Sequence, residues 1–134
     1  MDGARHERLL RLGDLRHRVI RETPGQKLAY VTDAVDSREN TERIVALALD
    51  ADILYCEAAY PDRDRERAAA RYHLTARQAG RLAAQANARR LVVFHFSPKY
   101  RDCPGILLDE ARSAFGQRDA GKETPPVSST PDHA

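Results

Sequence analysis

Leu91-Val92-Val93-Phe94-His95-Phe96-Ser97-Pro98-Lys99-Tyr100 is the stretch that decides how this chain is read. An uninterrupted apolar run rich in Val and Phe suits a central strand buried on both faces, so the five residues from Leu91 are expected to form one. Ser97 and Pro98 then stop the ladder. The strand ends on His95, and in open α/β sheets chemistry gathers at the carboxyl ends of parallel strands. A histidine there is placed to hold a metal or move a proton, although a strand-end imidazole is often simply bonded to a nearby carbonyl.

Two further strand ends look alike. Lys27-Leu28-Ala29-Tyr30-Val31-Thr32 is an expected strand that delivers Asp33, and Asp52-Ile53-Leu54-Tyr55-Cys56 is another that delivers Glu57. A helical pattern runs between them from about Arg38 to Asp50, with Ile44, Val45, Leu47 and Ala48 as its apolar face. Helical patterns from Asp62 to Arg71 and from Ala76 to Asn87 separate the second strand from the third. This alternation predicts a parallel sheet with right-handed crossovers. Such a sheet brings Asp33, Glu57 and His95 to one edge. His73 adds a fourth polar group, because Thr75 and Gln78 have the spacing of a capping box that starts a helix at Thr75. That helix start favours negative charge nearby, so phosphate is a natural guest.

In this order and spacing, Lys27-Leu28-Ala29-Tyr30-Val31-Thr32-Asp33, Cys56-Glu57-Ala58, His73-Leu74-Thr75-Ala76 and His95-Phe96-Ser97 resemble the second half of ribonuclease Z. That family is the transfer-RNA 3′-processing endonuclease of the metallo-β-lactamase superfamily, and the resemblance runs from about Pro24 to Phe115. It implies an α/β fold, the C-terminal half of a metallo-β-lactamase-like αββα sandwich, built as a βαβαβ unit plus a C-terminal helix. It implies that Asp33 bridges two zinc ions and that His95 is the last histidine ligand of one. It implies that His73 protonates the leaving oxygen, that Glu57 orients it, and that Ser97 and Lys99 contact substrate. Two metals about 3.5–4 Å apart suit this chemistry, since they activate water and stabilise phosphodiester oxygens.

The chain departs from the family pattern at several points. Thr32 and Ala34 flank the aspartate in place of glycine and threonine, Cys56 precedes the glutamate in place of histidine, and Leu74 replaces a serine. Lys99 stands where the family commonly carries arginine, and lysine meets phosphate as a point charge without the bidentate fork. The superfamily also takes most of its zinc ligands from a His-x-His-x-Asp-His motif in its first half. None of His6, His17, His73, His95 and His133 has that arrangement. Asp33 and His95 alone do not close a dinuclear site, because catalytic zinc usually takes three protein ligands and water.

Other features frame these expectations. At 134 residues the chain is expected to hold a leader over 1–23, a half-domain over 24–116, and a disordered Gly-, Pro-, Ser- and Thr-rich tail over 117–134. Within the leader, a short amphipathic helix is expected up to about Leu12 and a strand from Leu15 to Arg21. Ile106 to Phe115 reads as a helix with Leu107, Leu108, Ala111 and Phe115 inward. The net charge is only +2, and runs such as Arg63-Asp64-Arg65-Glu66-Arg67 read as a solvated helix face rather than a nucleic-acid patch. Two cysteines make no disulfide framework, and no run approaches a membrane span, so the cytoplasm is the default.

The resemblance implies precursor tRNA as substrate and either a homodimer or a complementing N-terminal half as partner. Alternatives are a metallo-β-lactamase-fold hydrolase of a small ester, and a non-catalytic half-domain that binds a partner or RNA. Half of a two-sheet sandwich is also expected to expose an apolar sheet face.

Overall fold

The computed structural model describes residues 8–116 and 127–129. In chain order the elements are α1 (Leu12–Val19), β1 (Leu28–Val31), α2 (Arg38–Ala48), β2 (Ile53–Glu57), α3 (Arg65–Ala70), α4 (Ala76–Gln85), β3 (Leu91–Phe94), α5 (Pro104–Gly116) and β4 (Val127–Ser129). Short 3₁₀ turns at Asp62–Asp64 and Pro98–Tyr100 precede α3 and α5. The four strands form one sheet in the order β1-β2-β3-β4, and every pair is parallel. Parallel neighbours need a crossover, and α2, the α3–α4 pair and α5 supply the three.

The helices begin where local chemistry starts them. Ser37 caps α2 by accepting from the Asn40 amide at 3.2 Å. Thr75 and Gln78 form the full capping box of α4: the Thr75 amide donates to Gln78 Oε1 at 2.7 Å, and the Gln78 amide donates to Thr75 Oγ1 at 3.2 Å. One face of α4 then presents Ala76, Ala79, Leu82 and Ala83, all buried. On α2 the buried positions are Ile44 and Ala48, with Val45 partly buried. Leu47, expected on the inner face, is instead 55% exposed.

Helices α4 and α5 pack closely because Gly80 has no side chain. A Cβ there would lie 2.4 Å from the Ala111 carbonyl oxygen and 2.8 Å from Ala114 Cβ. Beneath these helices, Leu54, Leu74, Leu91, Val93, Leu107 and Phe115 fill the core.

The other sheet face carries the second set of alternating side chains. Leu28 and Tyr30 of β1 are 59% and 62% exposed, while Ile53, Tyr55 and Phe94 are half-buried. The Tyr30 ring stacks on Phe94 with centroids 4.9 Å apart. Among the described residues, this face is the apolar patch expected of half a sandwich.

Three expectations need correction. Leu15–Arg21 is no strand. Helix α1 covers Leu12–Val19, because Leu12, Leu15 and Val19 recur at helical rather than two-residue spacing, and an Arg16–Glu22 ion pair spans its end. Residues 8–11 carry no helix, and the rest of the expected leader helix lies outside the described residues. The tail is not uniformly without structure either: Val127, Ser128 and Ser129 pair with Leu91, Val92 and Val93. Arg90 Nη2 also donates to Ser128 Oγ at 3.2 Å. Averaged composition hides this segment, because the free edge of β3 offers unpaired amides and carbonyls that three residues suffice to satisfy. Residues 117–126 and 130–134 lie outside the described residues.

Candidate metal centre at the strand ends

Parallel strands in register deliver their carboxyl ends together, and here Asp33, Glu57, His73 and His95 converge. One ligand atom from each lies within 4.8 Å of the other three. Glu57 ends β2 and is completely buried. Its Oε1 accepts from the Ala34 and Leu74 amides, each at 3.0 Å. Its Oε2 faces His73 Nδ1 at 3.0 Å and His95 Nδ1 at 3.1 Å. The two imidazole rings stand perpendicular with centroids 5.0 Å apart.

An ionised carboxylate only accepts, so both Nδ1 atoms are donors, and in the neutral rings both Nε2 lone pairs are left free. A carboxylate that fixes the histidine tautomer in this way is the usual support of a metal-ligating imidazole. Glu57 therefore orients two histidines. Sequence reasoning assigned it one.

Asp33 lies farther out. Its Oδ1 is 3.6 Å from His73 Nδ1 and 4.0 Å from His95 Nδ1, and its side chain is 67% exposed. Oxygen and imidazole nitrogen are donors that zinc and other divalent ions accept, so this quartet suits a metal.

The backbone is bent to make the quartet. Asp33, Tyr72 and His95 all adopt left-handed conformations, with φ of 53°, 59° and 61°. Each costs about 1–2 kcal/mol for a residue with a Cβ, and such outliers cluster at working sites. His95 therefore does not continue β3, which stops at Phe94. Tyr72 is 71% exposed, so little packing offsets its strain. Tyr72→Gly is expected to raise stability by about 1 kcal/mol in urea denaturation, with the Glu57–His73 bond intact.

The loop after β1 is tied to the start of α4. Asp36 Oδ2 accepts from Gln78 Nε2 at 2.9 Å and from Arg81 Nη2 at 3.1 Å. Sequence reasoning missed Asp36, because its partners lie more than 40 positions away and no local motif marks them. Behind the site, burial first and the Glu57 charge second push the Cys56 thiol well above its ordinary range, leaving it an inert core residue.

Beside the histidines opens a cavity of about 330 Å³, lined in part by Tyr60, Arg71, His73, His95 and Ser97. Ser97 is half-buried and held by its amide on the Ala59 carbonyl at 3.0 Å. Lys99 does not line this cavity. Its Nζ rests 3.0 Å from Asp64 Oδ2 and 5.2 Å from the Tyr100 ring centroid. The Tyr100 hydroxyl donates to the same Asp64 oxygen. That hydroxyl, then Lys99, holds the Asp64 carboxyl below its usual range, and Asp64 in turn raises the Lys99 ammonium. Of the remaining histidines, His6 and His133 lie outside the described residues.

A parallel sheet with helices on one face and a His/carboxylate quartet at its strand ends defines a unit of the metallo-β-lactamase fold. A solved metallo-β-lactamase-fold protein, YhfI of Bacillus subtilis, superposes with a TM-score of 0.61 at 19% identity, over 77% of this chain and 36% of that one. In sequence the chain is similar to ribonuclease Z. It is 39% identical over 108 residues to ribonuclease Z of Porphyromonas gingivalis strain W83, covering 81% of this chain and 34% of the relative. It is 43% identical over 96 residues to that of Kineococcus radiotolerans, covering 72% and 29%. The short form of human tRNase Z superposes with a TM-score of 0.50 at 31% identity, over 57% of this chain and 29% of that one. No protein-family model matches. The chain thus spans about a third of the length of the curated relatives it matches.

Proposed function

We propose that this chain supplies one part of a zinc-dependent, ribonuclease Z-like endoribonuclease that removes the 3′ trailer of precursor tRNA. The observation that carries the reading is the quartet itself: two histidines oriented by one buried carboxylate, with Asp33 beside them. Asp33 and His95 are the residues that hold metal. When bound, two zinc ions supply Lewis acidity for the attacking water and the phosphodiester oxygens.

The chain's own residues do the rest. His73, with Nδ1 fixed on Glu57, presents Nε2 to the leaving oxygen and donates a proton from its imidazolium form. Glu57 is a positioning residue that keeps both rings in one tautomer. Ser97 lines the cavity in which substrate lies. The remaining histidine ligands come from a complementing N-terminal half or from the second copy of a homodimer, and the setting is the cytoplasm. No helix among the described residues is long and apolar enough to cross a membrane.

The test is metal content after dialysis, beside an Asp33→Ala, His95→Ala double variant, followed by cleavage of a precursor tRNA with and without the complementing half. About two zinc ions per complete site, lost in the variant, with a cut at the trailer boundary are expected. Metal-independent cleavage, or retained zinc without any cut, overturns the reading. One observation favours a second reading, a non-catalytic unit that binds RNA or a partner: the chain spans only about a third of its relatives. RNA retained with no metal bound would support it.

A further inference from the structure

We infer that the cavity beside His73 and His95 is a phosphate-binding subsite whose cation is Arg71, not Lys99. The inference rests on the hydrolase reading for its substrate class, a nucleic-acid phosphate, but its evidence is separate. The basic residue expected to meet phosphate after the strand-end motif is Lys99, and its charge is already matched by Asp64, with Tyr100 completing that cluster. Lys99 also stays out of the cavity. Three cations on the flanking elements are committed too: Arg77 to Asp62 at 3.5 Å, Arg81 to Asp36 at 3.1 Å, and Arg63 over the Tyr100 ring at 5.8 Å.

Arg71 differs on each count. It follows α3, lines the cavity with the two histidines, and among the described residues its guanidinium has neither an ion pair nor a hydrogen bond. The Ser97 hydroxyl, which also lines the cavity, has no hydrogen-bond partner among the described residues either. A guanidinium fork and a hydroxyl match a tetrahedral oxyanion, and arginine grips phosphate through two parallel bonds. The nearby acids do not touch an anion held there. Neither Asp33 nor Glu57 lines the cavity, and Glu57 is fully engaged by its four donors. The phosphate contact has moved from the segment after β3 to the segment before α4, so it enters beside the proton donor.

The experiment is a titration of the chain with inorganic phosphate, followed on the arginine Nε–Hε and histidine ring signals by NMR. Chloride at matched ionic strength is the control. The wild-type chain is expected to saturate, with the Arg71 signal moving. Arg71→Gln is expected to weaken binding by at least about tenfold, Arg71→Lys by less, and Lys99→Gln by under about twofold. Unchanged affinity in Arg71→Gln, a large loss in Lys99→Gln, equal competition by chloride, or no saturable phosphate binding at all each overturns the inference. Phosphate binding and cleavage are read in separate experiments, so the outcomes separate. Phosphate held by Arg71 in a chain that never supports tRNA cleavage sinks only the hydrolase reading. Cleavage that ignores Arg71→Gln sinks only this one.

Discussion

Glu57→Gln is expected to cost about 3–5 kcal/mol of folding stability and to weaken metal binding about 10- to 100-fold. The glutamine keeps the shape, but four donors now face a group that can satisfy fewer of them. If its amide nitrogen lies toward the Ala34 and Leu74 amides, the part-buried Ala34 N–H and the buried Leu74 N–H lose their acceptor. If it lies toward the imidazoles, both rings must turn Nδ1 into an acceptor and carry their proton on Nε2. The second arrangement removes the lone pair a metal needs. Urea denaturation measures the first effect, and zinc titration with imidazole ¹⁵N shifts measures the second. A glutamine variant with wild-type stability and unchanged tautomers would show that Glu57 is not the hub described here.

Gly80→Val is expected to cost about 3 kcal/mol or more, read from the urea midpoint. The distances at this position leave no room, and the nearest atom belongs to the α5 backbone, which cannot rotate away like a side chain. Gly80→Ala gains about 1 kcal/mol of helix propensity and should therefore lose less. Gly105, also helical, has nothing within 4 Å of an added Cβ, so Gly105→Ala is the matched control and should not destabilise. Equal stability of Gly80→Val and the wild type would mean that the two helices are not in this close contact.

Much of this was legible in the residues because it is local. The apolar runs at Leu28–Val31, Ile53–Glu57 and Leu91–Phe94 are strands, and the Thr75–Gln78 box starts a helix where its spacing says it should. Parallel pairing then brings their ends together, so Asp33, Glu57, His73 and His95 could be named before any coordinate. What stayed hidden depends on partners far away in the chain. The commitment of Lys99 to Asp64 spans 35 positions, and the second histidine held by Glu57 lies 38 positions away. The strain at Tyr72 has no signature either, since a tyrosine looks ordinary until its φ is known. β4 was missed for the opposite reason: three residues in a polar tail are too few for any periodicity.

The strand order in the sheet is also the order of synthesis. Each new strand emerging from a ribosome therefore finds its neighbour already made, and none has to wait for a later segment to be inserted between earlier ones. The quartet follows the same timetable. Asp33 and the amide of Ala34 precede Glu57, and His95 closes the set as soon as β3 has paired. An assembly line of this kind favours vectorial folding, with each strand pairing onto the one made just before it.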